Sequence, residues 1–156
     1  MGKIIVIEGI EGSGKETQSK LLVESLNKMG IKSIEFSFPM YDTPTGRIFK
    51  DCLLSNNNYF NEGINSLDPE LVCLYTAADR KYNIKRIKEY LNNDYIVVIN
   101  RYTSSNMANQ GSKYSDSEDR FYMYQWIDKL EYWLLKLPKP DYTILLNMPY
   151  EYNNQL

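Results

Sequence analysis

Lys3 is followed by Ile4-Ile5-Val6-Ile7, an unbroken run of β-branched residues closed by Gly9, and this pattern predicts a buried strand over Lys3–Ile7. The pattern then changes period. From Lys15 to Met29 the apolar positions Leu21, Leu22, Leu26 and Met29 fall on one helical stripe, and Gly30 stands where a C-terminal cap belongs. Ser33 to Phe38 reads as a second strand ended by Pro39, and Gly46 to Leu54 as a short helix with Ile48, Cys52 and Leu53 facing inward. Asp68-Pro69-Glu70 is a helix start, with a capping acid, a proline in the first turn and a second acid near the positive end of the dipole. That helix is expected to run to Leu91 with a break near Asn83. Tyr95 to Ile99 and Tyr142 to Leu146 read as further strands. Between them Ser117 to Leu137 reads as a long helix carrying Phe121, Tyr124, Ile127, Leu130 and Leu134 on one side, stopped by Pro138 and Pro140. Strands alternating with helices predict an α/β fold with a parallel sheet covered by helices on both faces. The polar tract Ser55-Asn56-Asn57-Asn58 is expected to be a surface loop.

Composition narrows the chemistry. The chain has 156 residues, a length that suits one domain over residues 1–156 with a real core. It contains no histidine, which removes serine–histidine triads and histidine-ligated zinc. Cys52 and Cys73 are too few for a disulfide framework and read as reduced thiols of a cytoplasmic protein. Eighteen basic and twenty acidic residues give a net charge of −2, which does not suit coating nucleic acid. The N-terminal apolar run is too short for a membrane span or a signal peptide, and Val6 stands where a myristoylation motif wants Ser or Thr. The 14 tyrosines are scattered, as amphipathic packing at core edges requires.

The sharpest chemical signal is Gly9-Ile10-Glu11-Gly12-Ser13-Gly14-Lys15, which satisfies G-x-x-x-x-G-K between a predicted strand and a predicted helix. Glycines let the backbone curl so that several N–H groups point at one anion, and the helix N-terminus adds positive potential. Lys15 suits the β- and γ-phosphates of a nucleotide. Glu16 replaces the Ser or Thr that ordinarily binds magnesium at the next position. It either leaves the metal to water and other carboxylates or weakens metal binding. Thr17 comes one residue later and points elsewhere on the helix. No Asn-Lys-x-Asp guanine-reading motif accompanies the loop.

Three further segments join it: Phe38-Pro39-Met40-Tyr41-Asp42-Thr43-Pro44-Thr45-Gly46, Ala78-Asp79-Arg80, and Asn100-Arg101-Tyr102-Thr103-Ser104-Ser105-Asn106-Met107-Ala108-Asn109-Gln110-Gly111. The last comes directly after a strand, at the carboxyl edge of the sheet where ligands of such folds bind. With these four segments the chain resembles the thymidylate kinase family of the nucleoside-monophosphate kinases, from Lys3 to about Glu151. The resemblance implies a P-loop NTPase fold with strand order 2-3-1-4. It implies transfer of a phosphoryl group from ATP to dTMP, giving dTDP for dTTP biosynthesis. Gly9, Gly12, Ser13, Gly14, Lys15, Glu16 and Thr17 would face ATP, and Glu11, Phe38, Tyr41, Arg80, Arg101, Asn106 and Gln110 would face dTMP. Lys15 and Arg101 would be the catalytic pair. Magnesium would arrive with ATP, held by phosphates and waters with Glu11 or Glu16 nearby. Asn100 replaces the family's Asp, Asn147 replaces another, and Met40 stands where a basic residue often follows the proline. Glu16 could return the acid that Asn100 removes. The family also implies a homodimer, and the charge balance and the short apolar run leave the expectation of no nucleic-acid partner and no membrane. Leu145 to Glu151 matches the family's fourth strand and the start of its next helix; the family's arginine-bearing lid, fifth strand and terminal helix have no counterpart before Leu156. The alternatives are a deoxynucleoside kinase using Glu11 or Glu8 as base, another nucleoside-monophosphate kinase, or a nucleotide-binding assembly domain with impaired catalysis.

Overall fold

A computed structural model of the chain describes residues 1–54, 59–60 and 63–149. The tract Ser55–Asn58 and the segment from Tyr150 onward, including the expected helix start after the last strand, lie outside the described residues. In chain order the elements are β1 (Lys3–Gly9), α1 (Lys15–Lys28), β2 (Ser33–Ser37), α2 (Pro44–Phe49), α3 (Pro69–Asn92), β3 (Ile96–Asn100), α4 (Thr103–Gly111), α5 (Ser117–Asp128) and β4 (Tyr142–Leu146). Helix α2 runs on into a π-helical turn over Lys50–Leu54, and α5 into another over Lys129–Leu134. The four strands form one parallel sheet in the order β2-β3-β1-β4, as expected for a P-loop fold.

The chain divides into two compact units: Met1–Ser37 with Lys85–Ser105 and Lys139–Leu156, and Phe38–Ile84 with Asn106–Pro138. In the first, Ile4, Val6 and Ile7 of β1 and Val97, Val98 and Ile99 of β3 are buried, neighbouring positions among them, so both faces of these central strands are covered. Helix α1 packs on β1, β2 and β3. It ends in a Schellman arrangement: Gly30 has φ +77°, its N–H donates to the Asn27 carbonyl at 3.0 Å, and Ile31 N–H donates to the Leu26 carbonyl at 3.0 Å. The cap is where the sequence predicts it, but the stripe is not: Leu21 and Met29 are exposed, and the buried α1 residues are Lys15 and Ser19. The outer strand β4 also departs from expectation, because Tyr142, Ile144 and Leu145 remain exposed among the described residues.

The second unit holds two apolar clusters. Phe49, Leu53, Leu67 and Val72 form one, and Cys73, Met123 and Ile127 form the other. Phe49, not Ile48, is the inward residue of α2; Ile48 is half exposed. On α5 the buried line is Met123 and Ile127, continued by Glu131, while Phe121 and Leu134 face solvent. Helix α3 starts as predicted, with the Asp68 carboxylate accepting Leu71 N–H at 3.1 Å. It has no break at Asn83, because the Asn83 amide donates to the Asp79 carbonyl at 2.9 Å and to its carboxylate at 3.1 Å, keeping a buried polar residue satisfied in mid-helix. The peptide between Phe38 and Pro39 is cis. No helix of the described residues is long and apolar enough to cross a membrane.

Candidate functional site

The sequence from Gly9 to Lys15 curls because its glycines accept backbone angles other residues avoid. Gly12 and Gly14 have φ +74° and +81°, and a Cβ on Gly9 would lie 2.5 Å from Ser13 Oγ and 2.8 Å from the Leu146 carbonyl. Lys15 opens α1 and is buried; its Nζ donates to the Ile10 carbonyl and, at 3.4 Å, to Ser13 Oγ. The ammonium thus lies folded over the loop whose N–H groups a phosphate would engage. Burial holds its pKa below the ordinary lysine value, the Arg101 charge lowers it further, and Glu8 and Glu11 oppose the shift. Lys15 and Arg101 both belong to the first unit.

Arg101 comes directly after β3 with φ +64°, a left-handed conformation that costs a bulky residue about 1 kcal/mol or more. Its N–H donates to the Ile7 carbonyl at 3.2 Å, which ties the strained residue to the end of β1. Glu8 secures the next stretch of chain, Tyr102 to Ser105. Its buried carboxylate accepts Tyr102 N–H at 3.0 Å, Ser105 N–H at 3.1 Å, Ser104 Oγ–H at 2.9 Å and the Ser105 hydroxyl. With four donors upon it, Glu8 is an anchor for the start of α4 and is poorly suited to be a general base. Glu11 is exposed.

The second unit holds Phe38, Tyr41, Arg80, Asn106 and Gln110. Phe38 is buried and Tyr41 is exposed. Sequence reading assigned no role to two acids here. Asp79, 1% exposed, accepts Met40 N–H at 2.8 Å, Thr45 Oγ–H at 2.8 Å and Thr43 Oγ–H at 3.3 Å, and so fastens the segment after Phe38 to α3. Glu131 takes Arg80 in a buried two-pronged pair, Nε to Oε2 at 2.6 Å and Nη2 to Oε1 at 2.5 Å. The signal for Glu131 was an acid four residues after Ile127 and eight after Met123, on the face that is otherwise apolar. Asn106 donates to Glu131 Oε1 at 3.3 Å. The carbonyl oxygens of buried Asn106 and Gln110 have no hydrogen-bond partner among the described residues. Cys73, in the same unit, is inert: burial pushes its thiol up to about 12.

For a metal, Asn100 provides the informative atom. Its Oδ1 is buried and has no hydrogen-bond partner among the described residues, so a neutral carbonyl is left for an incoming water or cation. Glu16 is turned outward on α1, where it meets Lys20 at 2.5 Å. No group of three or more Cys, Asp or Glu residues among the described residues converges as a metal cage. This donor set fits magnesium that arrives on nucleotide phosphates and keeps several waters.

The parallel sheet in 2-3-1-4 order, with its glycine-rich loop between β1 and α1 and a buried lysine at the helix start, defines a P-loop NTPase. The family model "Thymidylate kinase" matches residues 7–155. A curated thymidylate kinase of Brachyspira hyodysenteriae is 38% identical over 118 residues, covering 75% of this chain and 53% of its own length. The human thymidylate kinase is 30% identical over 147 residues, covering 94% of this chain and 61% of its own length. In structure, the thymidylate kinase of Candida albicans superposes with a TM-score of 0.73 at 28% identity, covering 99% of this chain and 67% of that one. The chain belongs to the thymidylate kinase family, and it spans between half and two thirds of the length of these curated relatives.

Proposed function

We propose that the protein transfers the γ-phosphoryl group of ATP to the phosphate of dTMP, giving dTDP and ADP. The observation that carries this reading is Lys15, buried at the start of α1 and bonded back onto the phosphate loop, in a chain of this family. Phosphoryl transfer asks little covalent help of a protein; it asks that two phosphates be held in line and that developing charge be neutralised. The loop amides and Lys15 hold the donor. Arg101, whose backbone is fixed by Ile7, grips the acceptor phosphate through its forked donors. The acceptor is already an anion, so no general base is needed, in keeping with a chain that has no histidine. Arg80, Asn106 and Gln110 take the base, with Phe38 and Tyr41 at the acceptor and Glu11 toward its sugar. Asn100 Oδ1 and Glu11 would hold magnesium or its waters, and the metal arriving with ATP would supply neutralisation of phosphate charge.

Residence in the cytoplasm and a homodimer belong to the same proposal, on the strength of family membership. Transfer to a nucleoside hydroxyl is the weaker reading, since Glu8, one candidate base for it, is saturated by four donors. A coupled assay of ADP release with ATP and dTMP, dUMP, AMP or thymidine tests the proposal. Turnover with dTMP and not with thymidine or AMP supports it. ATP binding without turnover on any acceptor would identify a nucleotide-binding domain instead.

A further inference from the structure

Arg80 and Glu131 are 4% and 0% exposed and lie within the second unit. A buried ion pair recovers little more than its own desolvation cost, so apolar side chains of similar size would hold α3 to the end of α5 at least as firmly. The pair is better explained by what it leaves over. Arg80 spends Nε and Nη2 on Glu131, and Nη2 also on Thr76 Oγ1 at 3.1 Å. Its third nitrogen, Nη1, is not used by these bonds. Glu131 Oε1 takes the Asn106 amide nitrogen at 3.3 Å, and among the described residues the carbonyls of Asn106 and Gln110 have no hydrogen-bond partner. A carboxylate can only accept, so it dictates which end of Asn106 it meets.

The remainder is one charged donor and two amide acceptors, all on residues more than nine-tenths buried. A pyrimidine imide presents a carbonyl for the donor and a ring N–H for an acceptor. A cytosine edge presents an amine and an unprotonated ring nitrogen, which reverses both demands. We infer that Glu131 is a positioning residue that sets base selectivity, by locking Arg80 and by forcing Asn106 to offer its carbonyl. This rests on the assignment of the second unit's polar cluster to the base of the acceptor nucleotide. Glu131→Gln removes the lock in a specific way: the new amide can donate to the Asn106 carbonyl, and Asn106 is then free to turn either end outward.

The test is calorimetric affinity of the full chain for dTMP, dCMP and ATP, in wild type, Glu131→Gln and Glu131→Asp, with a thermal melt of each. The lock predicts that Glu131→Gln narrows the preference for dTMP over dCMP by about tenfold or more, the scale at which hydrogen-bonded sites discriminate. ATP affinity stays within about twofold, because the change removes no donor-side contact. Glu131→Asp keeps the charge and restores part of the preference. Should Glu131→Gln not fold, Glu131→Asp decides alone: weaker dTMP binding with unchanged ATP binding supports the lock, and unchanged dTMP binding overturns it. A folded Glu131→Gln protein with the wild-type preference also overturns it and leaves the acceptor assignment standing. Wild type that binds neither monophosphate overturns the acceptor assignment, and the inference with it.

Discussion

Glu8 and Tyr102, ninety-four residues apart in sequence, are joined by a buried hydrogen bond of 3.0 Å from the Tyr102 N–H to the Glu8 carboxylate. The contact links the strand that feeds the phosphate loop to the segment that carries Arg101. One side chain thereby sets the spacing of the two cationic residues assigned to the two phosphates.

Glu8→Ala would strand the N–H groups of Tyr102 and Ser105 and two hydroxyls. The expected loss is about 2–3 kcal/mol of stability, typical for buried donors left without an acceptor. Urea denaturation of the variant against wild type measures it; a change below about 0.5 kcal/mol, the scale of a plain surface substitution, would show that Glu8 is not an anchor.

Arg101→Gly separates strain from function. Glycine accepts φ +64° without penalty, and this relief offsets the roughly 0.4–1 kcal/mol that glycine costs by freeing the unfolded chain, so stability should stay within about 0.5 kcal/mol of wild type, while turnover falls if the forked donor proposed for the acceptor phosphate is gone. Thermal melts together with ADP-release kinetics check both halves.

Lys15→Ala should cost about 2–4 kcal/mol of transition-state stabilisation, the range for a preorganised electrostatic donor. The measurement is kcat/KM for ATP. Unchanged turnover would remove Lys15 from the reaction.

Asp141 offers a pH test outside the site. Its carboxylate accepts Lys3 Nζ–H at 2.8 Å and Ile4 N–H at 2.8 Å, fixing the entry of β4 beside β1, and the Lys3 bond, then the Ile4 bond, holds its pKa below the ordinary carboxylate value. A lowered pKa contributes stability that is present above the unfolded value of about 4 and lost as pH falls through the folded value. Asp141→Asn keeps an amide oxygen for the Ile4 N–H and loses the charged bond to Lys3, so it should be less stable than wild type near neutrality by about 0.5 kcal/mol, the scale of a partly exposed ion pair. The gap should close as pH falls from about 6 to about 2. A gap that is constant with pH would mean that the charge plays no part.

The phosphate loop and the four strands were legible, because a β-branched run leading into a glycine-rich turn admits few alternatives, and the strand order was implied by the family resemblance. So were the caps at Gly30 and Asp68. The start of α5 fell where the sequence puts it, at Ser117, where Asp116 accepts Glu118 N–H at 2.7 Å. Helix α4 was not legible. Thr103–Gly111 is small and amide-rich, with no apolar period to announce a helix. The stripe on α1 misled for the opposite reason: Leu21 and Met29 are apolar at helical spacing yet exposed, and burial falls instead on Lys15 and Ser19. For the candidate site, the sequence singled out candidate residues such as Arg80 and Asn106 but not the acids that hold them. Asp79 and Glu131 look like surface charges until the fold supplies the Met40 N–H and the Arg80 guanidinium that justify burying them.

The central claim is tested most directly by tracing the phosphoryl group itself. The full chain is incubated with magnesium, γ-labelled ATP and dTMP, and the nucleotides are separated. The account predicts label in the β-phosphate of dTDP, formed mole for mole with ADP and absent in Lys15→Ala. Label that remains in ATP, or appears only as inorganic phosphate while dTMP is unchanged, would contradict it.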